Sequence, residues 1–236
     1  MATLLLVRHG RTTANASGVL AGRTPGVLLD ELGTDQAARA GARIADVPLA
    51  RLVTSPQERC KQTAKAVADG QRGAGHPVTR ATTEKALAEC DYGEWQGQPI
   101  KKLLKEPLWR TVQQQPSAVT FPGGESMVAM QHRAVAAVRR IDAAVTAEHG
   151  QHAVWVAVSH GDIIKSVLAD ALGLHLDLFQ RINVDPASIS VIRYAPDRPY
   201  VLASNTHDGD LSWLRQAPPK GEAGEGAVVG GGAGPR

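Results

Sequence analysis

The chain has only two cysteines in 236 residues, Cys60 and Cys90, and they stand too far apart for a CxxC redox motif or a zinc-ligand pair. They read as reduced thiols. With no charged-then-apolar leader at the start, the expected location is the cytoplasm. No apolar run reaches the roughly 20 residues that span a bilayer, so no membrane partner is expected. Charge is nearly balanced, 26 Lys and Arg against 23 Asp and Glu, and no block of like charge forms an arm. Aromatics amount to 4% and do not interleave with a basic stripe, so nucleic acid is not expected as a partner either. No group of carboxylates looks like a magnesium site, and neither a metal nor a cofactor is expected. What remains, 43% hydrophobic and 21% charged residues, is the makeup of a globular protein long enough for a full core.

Short apolar runs at 3–8, 51–54, 78–81, 153–159, 188–194 and 200–204 predict strands, and helical patterns separate several of them. Residues 35–45 place Ala37, Ala40, Gly41 and Ile44 on one small apolar face. A helix over 56–68 carries start signals: Ser55 as N-cap, Pro56 in the first position and Glu58 completing a capping box. The longest helix, 126–149, has Val128, Val135, Val138, Ile141 and Val145 near one stripe and Gly150 as its stop; another, 162–172, closes at Gly173. This alternation predicts an α/β fold, three-layer α/β/α, with a mostly parallel central sheet and helices on both faces. The last two strands should form an antiparallel hairpin at an edge. Two segments break the pattern. Residues 91–125, with prolines at 99, 107, 116 and 122, predict a lid insertion. Residues 216–236, rich in glycine and alanine, predict a disordered tail behind a folded domain of 1–215.

Four segments carry chemistry. In the first, an apolar strand ends in Arg8-His9-Gly10, at the strand end where open α/β sheets bind ligands. In the second, a strand end at Thr54 leads into a helix on which Arg59 lies about one turn in, over amides that favour an anion. In the third, Leu87-Ala88-Glu89-Cys90-Asp91 places Glu89 after apolar residues, where partial desolvation would hold it protonated. The fourth, Ala157-Val158-Ser159-His160-Gly161-Asp162, repeats the pattern of the first. Each has a plainer alternative on its own: a polar turn, a surface arginine, a carboxylate capping local backbone. A pair of strand-end His-Gly steps in one sheet is harder to read as turns.

Together these segments resemble the histidine phosphatase superfamily, the phosphoglycerate mutase-like family, over roughly residues 2–204. Its opening signature is met by Arg8, His9, Gly10, Thr12 and Asn15, and its second motif by Ser55, Arg59, Gln62, Thr63 and Ala64. Its acid motif is met by Glu89, Gly93, Trp95 and Gly97, and its closing motif by Ser159, His160 and Gly161. The loop Leu20-Ala21-Gly22-Arg23 is similar to the family's substrate loop. The resemblance implies phosphoryl transfer through a phosphohistidine at His9, without metal. Arg8, Arg59 and His160 would surround the phosphoryl oxygens, Asn15 and the amides of Gly22 and Gly161 would add donors, and Glu89 would act as acid and then base.

The expected activity is a phosphoric monoester hydrolase acting on a small phosphorylated metabolite. A phosphomutase is the alternative, and a non-catalytic phospholigand-binding module a third. Family mutases carry an arginine pair in the insertion and Arg-His-Tyr-Gly after the acid, where this chain has Cys90-Asp91-Tyr92-Gly93. Lys101, Lys102, Lys105 and Arg110 read as a solvated face rather than a second anion grip. Trp109 and Phe121 are candidates for lining the alcohol end of the substrate. Association into a homo-oligomer stays open.

Overall fold

A computed structural model describes residues 2–77, 80–207, 209 and 211. The chain runs β1 (Thr3–Arg8), α1 (Thr13–Ser17), α2 (Glu31–Ile44), β2 (Leu49–Thr54), α3 (Glu58–Gly73), β3 (Thr82–Thr83), α4 (Ile100–Leu103), α5 (Pro107–Gln114), α6 (Met127–His149), β4 (Val154–Ser159), α7 (Gly161–Ala171), β5 (Ile189–Tyr194) and β6 (Pro199–Thr206), with short 3-10 turns between. The strands form one six-stranded sheet in the order β3-β2-β4-β1-β5-β6. The pairs β1–β4, β2–β4 and β2–β3 are parallel, while β5 and β6 make the antiparallel edge hairpin.

Both faces of the sheet are covered, which is why its central strands are continuously apolar rather than alternating. Leu4 and Leu6 of β1, with Trp155 and Ala157 of β4, pack into the core beneath α6, α7 and the 91–125 segment. Leu5 and Val7, with Val154, Val156 and Val158, face the opposite core under α2 and α3. The period-2 alternation of side chains thus feeds two separate cores. Arg8 pairs with Ser159 across β1 and β4, so the residues that follow, His9 and His160, emerge together at the carboxyl edge.

Several local expectations are corrected. Ser55 is not the N-cap of α3: Gln57 holds that position, without a side-chain cap bond, and Ser55 Oγ donates to Gln57 instead. The third strand is Thr82–Thr83, after the expected 78–81; Val78 and Thr79 lie outside the described residues. Helix α2 starts earlier than its apolar face announced, because Asp30 caps it through Gly33 N at 2.7 Å. Val128 is exposed rather than on the buried stripe of α6. The segment 91–125 is an insertion, but a structured one: α4 and α5 are pinned by Trp95 stacked on Trp109 at 6.0 Å and by Phe121 against Trp95 and Tyr92. The predicted tail, 216–236, lies outside the described residues. Among the described residues no helix is long and apolar enough to cross a membrane.

Helices α2 and α3 cross at glycines. A Cβ on Gly41 would lie 2.4 Å from the carbonyl oxygen of Ala66, and one on Gly70 would lie 2.5 Å from that of Gly41. Neither neighbour is a flexible side chain, so the helices must separate to admit a methyl group. Gly41→Ala is expected to destabilise the fold by about 1–3 kcal/mol in denaturant titration, the cost of overpacking. Unchanged stability would show that the crossing is looser than this.

Candidate active site

His9 follows β1, its amide bonded to the carbonyl of Ser159 at 3.0 Å, and it is almost fully buried. Its Nδ1 lies 2.8 Å from the carbonyl oxygen of Gly10. A carbonyl only accepts, so Nδ1 carries the proton and Nε2 keeps its lone pair. Arg59 Nε donates to that Nε2 at 3.3 Å, in agreement with the same tautomer. Burial first, then the charges of Arg59 and Arg8, push the pKa of His9 well below the ordinary histidine value. A neutral imidazole with a fixed, unprotonated nitrogen is a nucleophile ready to act.

Arg8, His9, Asn15, Gly22, Arg59, Glu89 and Gly161 all line one cavity of about 220 Å³. Arg8 is tethered through Nη1 to the carbonyl of Val184 at 2.6 Å, and burial lowers its pKa against the pull of Glu89 and Asp162. Arg59, only 2% exposed, donates from Nη2 to the carbonyl of Gly22 at 2.8 Å and meets His160 Nδ1 at 3.1 Å. Arg8 Nε and Arg59 Nη1 are buried without a hydrogen-bond partner among the described residues. Unpaired buried donors on charged groups are costly, and an anion in this cavity would satisfy both.

Glu89 stands beside these cations, with Oε1 accepting from the amide of Cys90 at 3.0 Å. Burial, helped by the nearby charge of Asp162, raises its pKa to about 7, so the desolvation expected from Leu87 and Ala88 is present. Asn15 uses Oδ1 to accept from the amide and hydroxyl of Thr12, which leaves its amide group as a donor on the cavity wall. Gly22 takes a positive φ of 51°, and its observed contact is made by its carbonyl, not its amide. Gly161 opens α7 beside Arg8, whose Nε is 3.5 Å from the position of a Cβ, an ordinary contact distance.

A family model described as histidine phosphatase superfamily (branch 1) matches residues 4–207. The chain belongs to that family. Its fold and site therefore belong to an enzyme of the phosphatase and mutase kind. Among curated relatives, phosphoserine phosphatase 1 of Hydrogenobacter thermophilus is 29% identical over 211 residues, covering 87% of this chain and 92% of that one. The probable phosphoglycerate mutase GpmB of Yersinia enterocolitica is 30% identical over 196 residues, covering 82% and 86%. Among solved structures, Bacillus stearothermophilus YhfR superposes with a TM-score of 0.76 at 26% identity, covering 91% of this chain and all of that one. A putative alpha-ribazole-5'-P phosphatase from Escherichia coli gives 0.74 at 21% identity over 87% and 97%, which bears on the fold alone.

Within this histidine phosphatase, some expected site residues sit elsewhere. His160 is fully buried outside the cavity lining, with its ring centroid 5.2 Å from that of His9 and its Nδ1 3.8 Å from Glu89 Oε2. Its Nε2 faces Gln57 Oε1 at 3.0 Å and Ser55 Oγ at 2.6 Å, leaving Nδ1 to accept from Arg59. Trp109 and Phe121 do not line the cavity; they hold the 91–125 segment together, and Tyr92 and Ile100 are the residues of that segment that reach the wall. Lys101, Lys102, Lys105 and Arg110 are exposed, as a solvated face requires. Cys60 lies 3.4 Å from His160 Nε2, but burial pushes its thiol up to about 12, so it is no competing nucleophile. Among the described residues no group of His, Cys, Asp and Glu side chains could hold a metal ion.

Sequence reasoning missed the supports of the acid. Arg133 of α6 donates to the carbonyls of Ala86, Ala88 and Glu89 at 2.7, 2.8 and 3.2 Å. Arg23 adds a bond to the Glu89 carbonyl at 2.8 Å. Glu125 pairs with Arg133 at 2.6 Å and with Arg23 at 2.9 Å. Tyr92, which donates to Asp162 at 2.7 Å, was likewise unforeseen. No spacing pattern in the sequence signals these contacts, because the partners lie far apart along the chain.

The raised pKa of Glu89 has a stability consequence whose sign is definite. Between its ordinary pKa and about 7, the folded state binds a proton that the unfolded state has released, so this contribution to stability is lost as pH rises through 7. Glu89→Gln removes the buried charge. The variant should melt above the parent at pH 8.5 and show a smaller difference at pH 5; the opposite ordering would refute the assignment.

Proposed function

We propose that the protein is a phosphoric monoester hydrolase that works on a small phosphorylated metabolite through a phosphohistidine at His9, without a metal. The observation that carries this is the fixed lone pair of His9 Nε2 in a cavity that Arg8 and Arg59 also line, each guanidinium with one buried nitrogen left unpartnered among the described residues. Arg8 and Arg59 hold the phosphoryl oxygens and stabilise charge as it spreads in the transition state. His9 Nε2 bonds to phosphorus as the ester P–O bond breaks, and protonated Glu89 gives its proton to the leaving alcohol oxygen. Glu89, now a carboxylate, takes a proton from water as that water bonds to phosphorus and the P–N bond breaks. His160 acts through Arg59, which it orients, and is a positioning residue. A cytoplasmic location is supported by two free, buried thiols.

The phosphatase names among relatives support the hydrolase, while the 30% identity to a probable phosphoglycerate mutase favours a mutase as the second reading. Against the mutase, Arg8 and Arg59 are the only arginines or lysines on the described cavity wall, and both are engaged with the phosphoryl group, leaving no cation to grip a second acidic group. Phosphate release from phosphomonoesters, assayed beside isomerisation of phosphoglycerates, separates the two; isomerisation with negligible phosphate release would decide for the mutase.

His9→Ala should lose about 10²–10⁴-fold or more in kcat/KM and fail to form an acid-labile, base-stable phosphoenzyme. Chelators should leave turnover unchanged; retained activity in the variant, or loss on chelation, would refute the mechanism. Because the acid must be protonated in the free enzyme, kcat/KM should fall as pH rises above about 7. In Glu89→Gln that limb of the profile should vanish along with most of the rate.

A further inference from the structure

The cavity wall divides by charge. Its cations, Arg8 and Arg59, are committed to the phosphoryl group under the function proposed above, on which this inference rests. The rest of the wall includes apolar Val19, Leu20 and Ile100 and the two carboxyl groups of Glu89 and Asp162. Burial keeps Glu89 protonated up to about pH 7, which leaves Asp162 as the other carboxyl group on the wall. The hydroxyl of Tyr92 donates to Asp162 Oδ2 at 2.7 Å and fixes the carboxylate; Oδ1 accepts no hydrogen bond among the described residues. Arg8 is the one cavity cation that Asp162 is seen to stabilise, and a bound phosphoryl dianion takes over that cation. The lysines of the 91–125 segment are exposed and off the wall, with Lys102 bonded to Gln98.

We propose that Asp162 sets the charge selectivity of the alcohol half: the site admits a phosphomonoester whose alcohol ends in a hydrogen-bond donor, ammonium above all, and turns away one that ends in a carboxylate. An ammonium beside Asp162 gains Coulomb attraction in a partly desolvated site, and a carboxylate meets repulsion with no cation left to offset it. The apolar wall accommodates the methylene chain that joins the two ends. A glycerate-type ester is therefore a poor fit to this cavity, independently of how fast water opens the phosphoenzyme.

Propyl phosphate, 3-aminopropyl phosphate and 2-carboxyethyl phosphate share the reacting end and differ at the other, so ratios of kcat/KM among them isolate selectivity from chemistry. The amino ester is expected at least about tenfold above the carboxy ester, with propyl phosphate between them. Asp162→Asn keeps an acceptor for Tyr92 while removing the charge, and should shrink the amino-to-carboxy ratio by about tenfold. A ratio near or below one in the parent enzyme, or a ratio unchanged in the variant, overturns the proposal. If propyl phosphate is hydrolysed with the wrong ratio, the selectivity alone falls. If none of the esters is turned over and no phosphoenzyme forms at His9, the hydrolase falls and takes this inference with it.

Discussion

A single buried guanidinium holds the site together. Arg59 reaches His9 Nε2 at the end of β1, the carbonyl of Gly22 in the loop after α1, and His160 Nδ1 at the end of β4. Three distant stretches of chain thus meet on one charge that solvent barely touches. The charge is tolerable because Nε and Nη2 are matched to acceptors, and only Nη1 is left over among the described residues. Both histidines stay neutral because that charge and burial act in the same direction on each. Lose the guanidinium, and the bond to His9 Nε2, the placement of His160 and the anion affinity change together.

The sheet makes this meeting possible at small conformational cost. Parallel pairing in register brings the ends of β1 and β4 side by side, so no flexible loop has to carry either histidine. Rigid strands hold reacting groups more accurately than loops do. The stability cost of unpaired charged donors is offset by cores on both faces, where continuous apolar strands leave little room for error.

How far the molecule was legible from its residues depended on the range of the interaction. Five of the six strands and the main helices announced themselves through local period, while the third strand began after the residues expected to form it. The strand-end motifs located His9, Arg59, Glu89 and the cavity they share. Ser55 misled because a serine before Pro56 is a strong local cap signal, yet tertiary contact with His160 claimed its hydroxyl. Arg23, Glu125 and Arg133 were invisible because their partners lie 8 to 102 positions away in the chain and no pattern of spacing records them. Trp109 and Phe121 were placed wrongly for a related reason: an aromatic in an insertion packs on whatever the insertion brings near, and here that is Trp95.

One arrangement has a bearing on how such enzymes diversify. The acid is anchored from α6 and from the loop before α2, through Arg133 and Arg23, rather than by the helices of the insertion. The insertion carries its own aromatic cluster and touches the cavity through Tyr92 and Ile100. Such a division lets residues 100–114 be rewritten, or grafted from a relative, while Tyr92 and Glu125 keep their bonds to Asp162, Arg23 and Arg133 and so leave nucleophile, clamp and proton donor in their mutual geometry. Substrate preference and reaction chemistry are in that sense separable modules of one polypeptide.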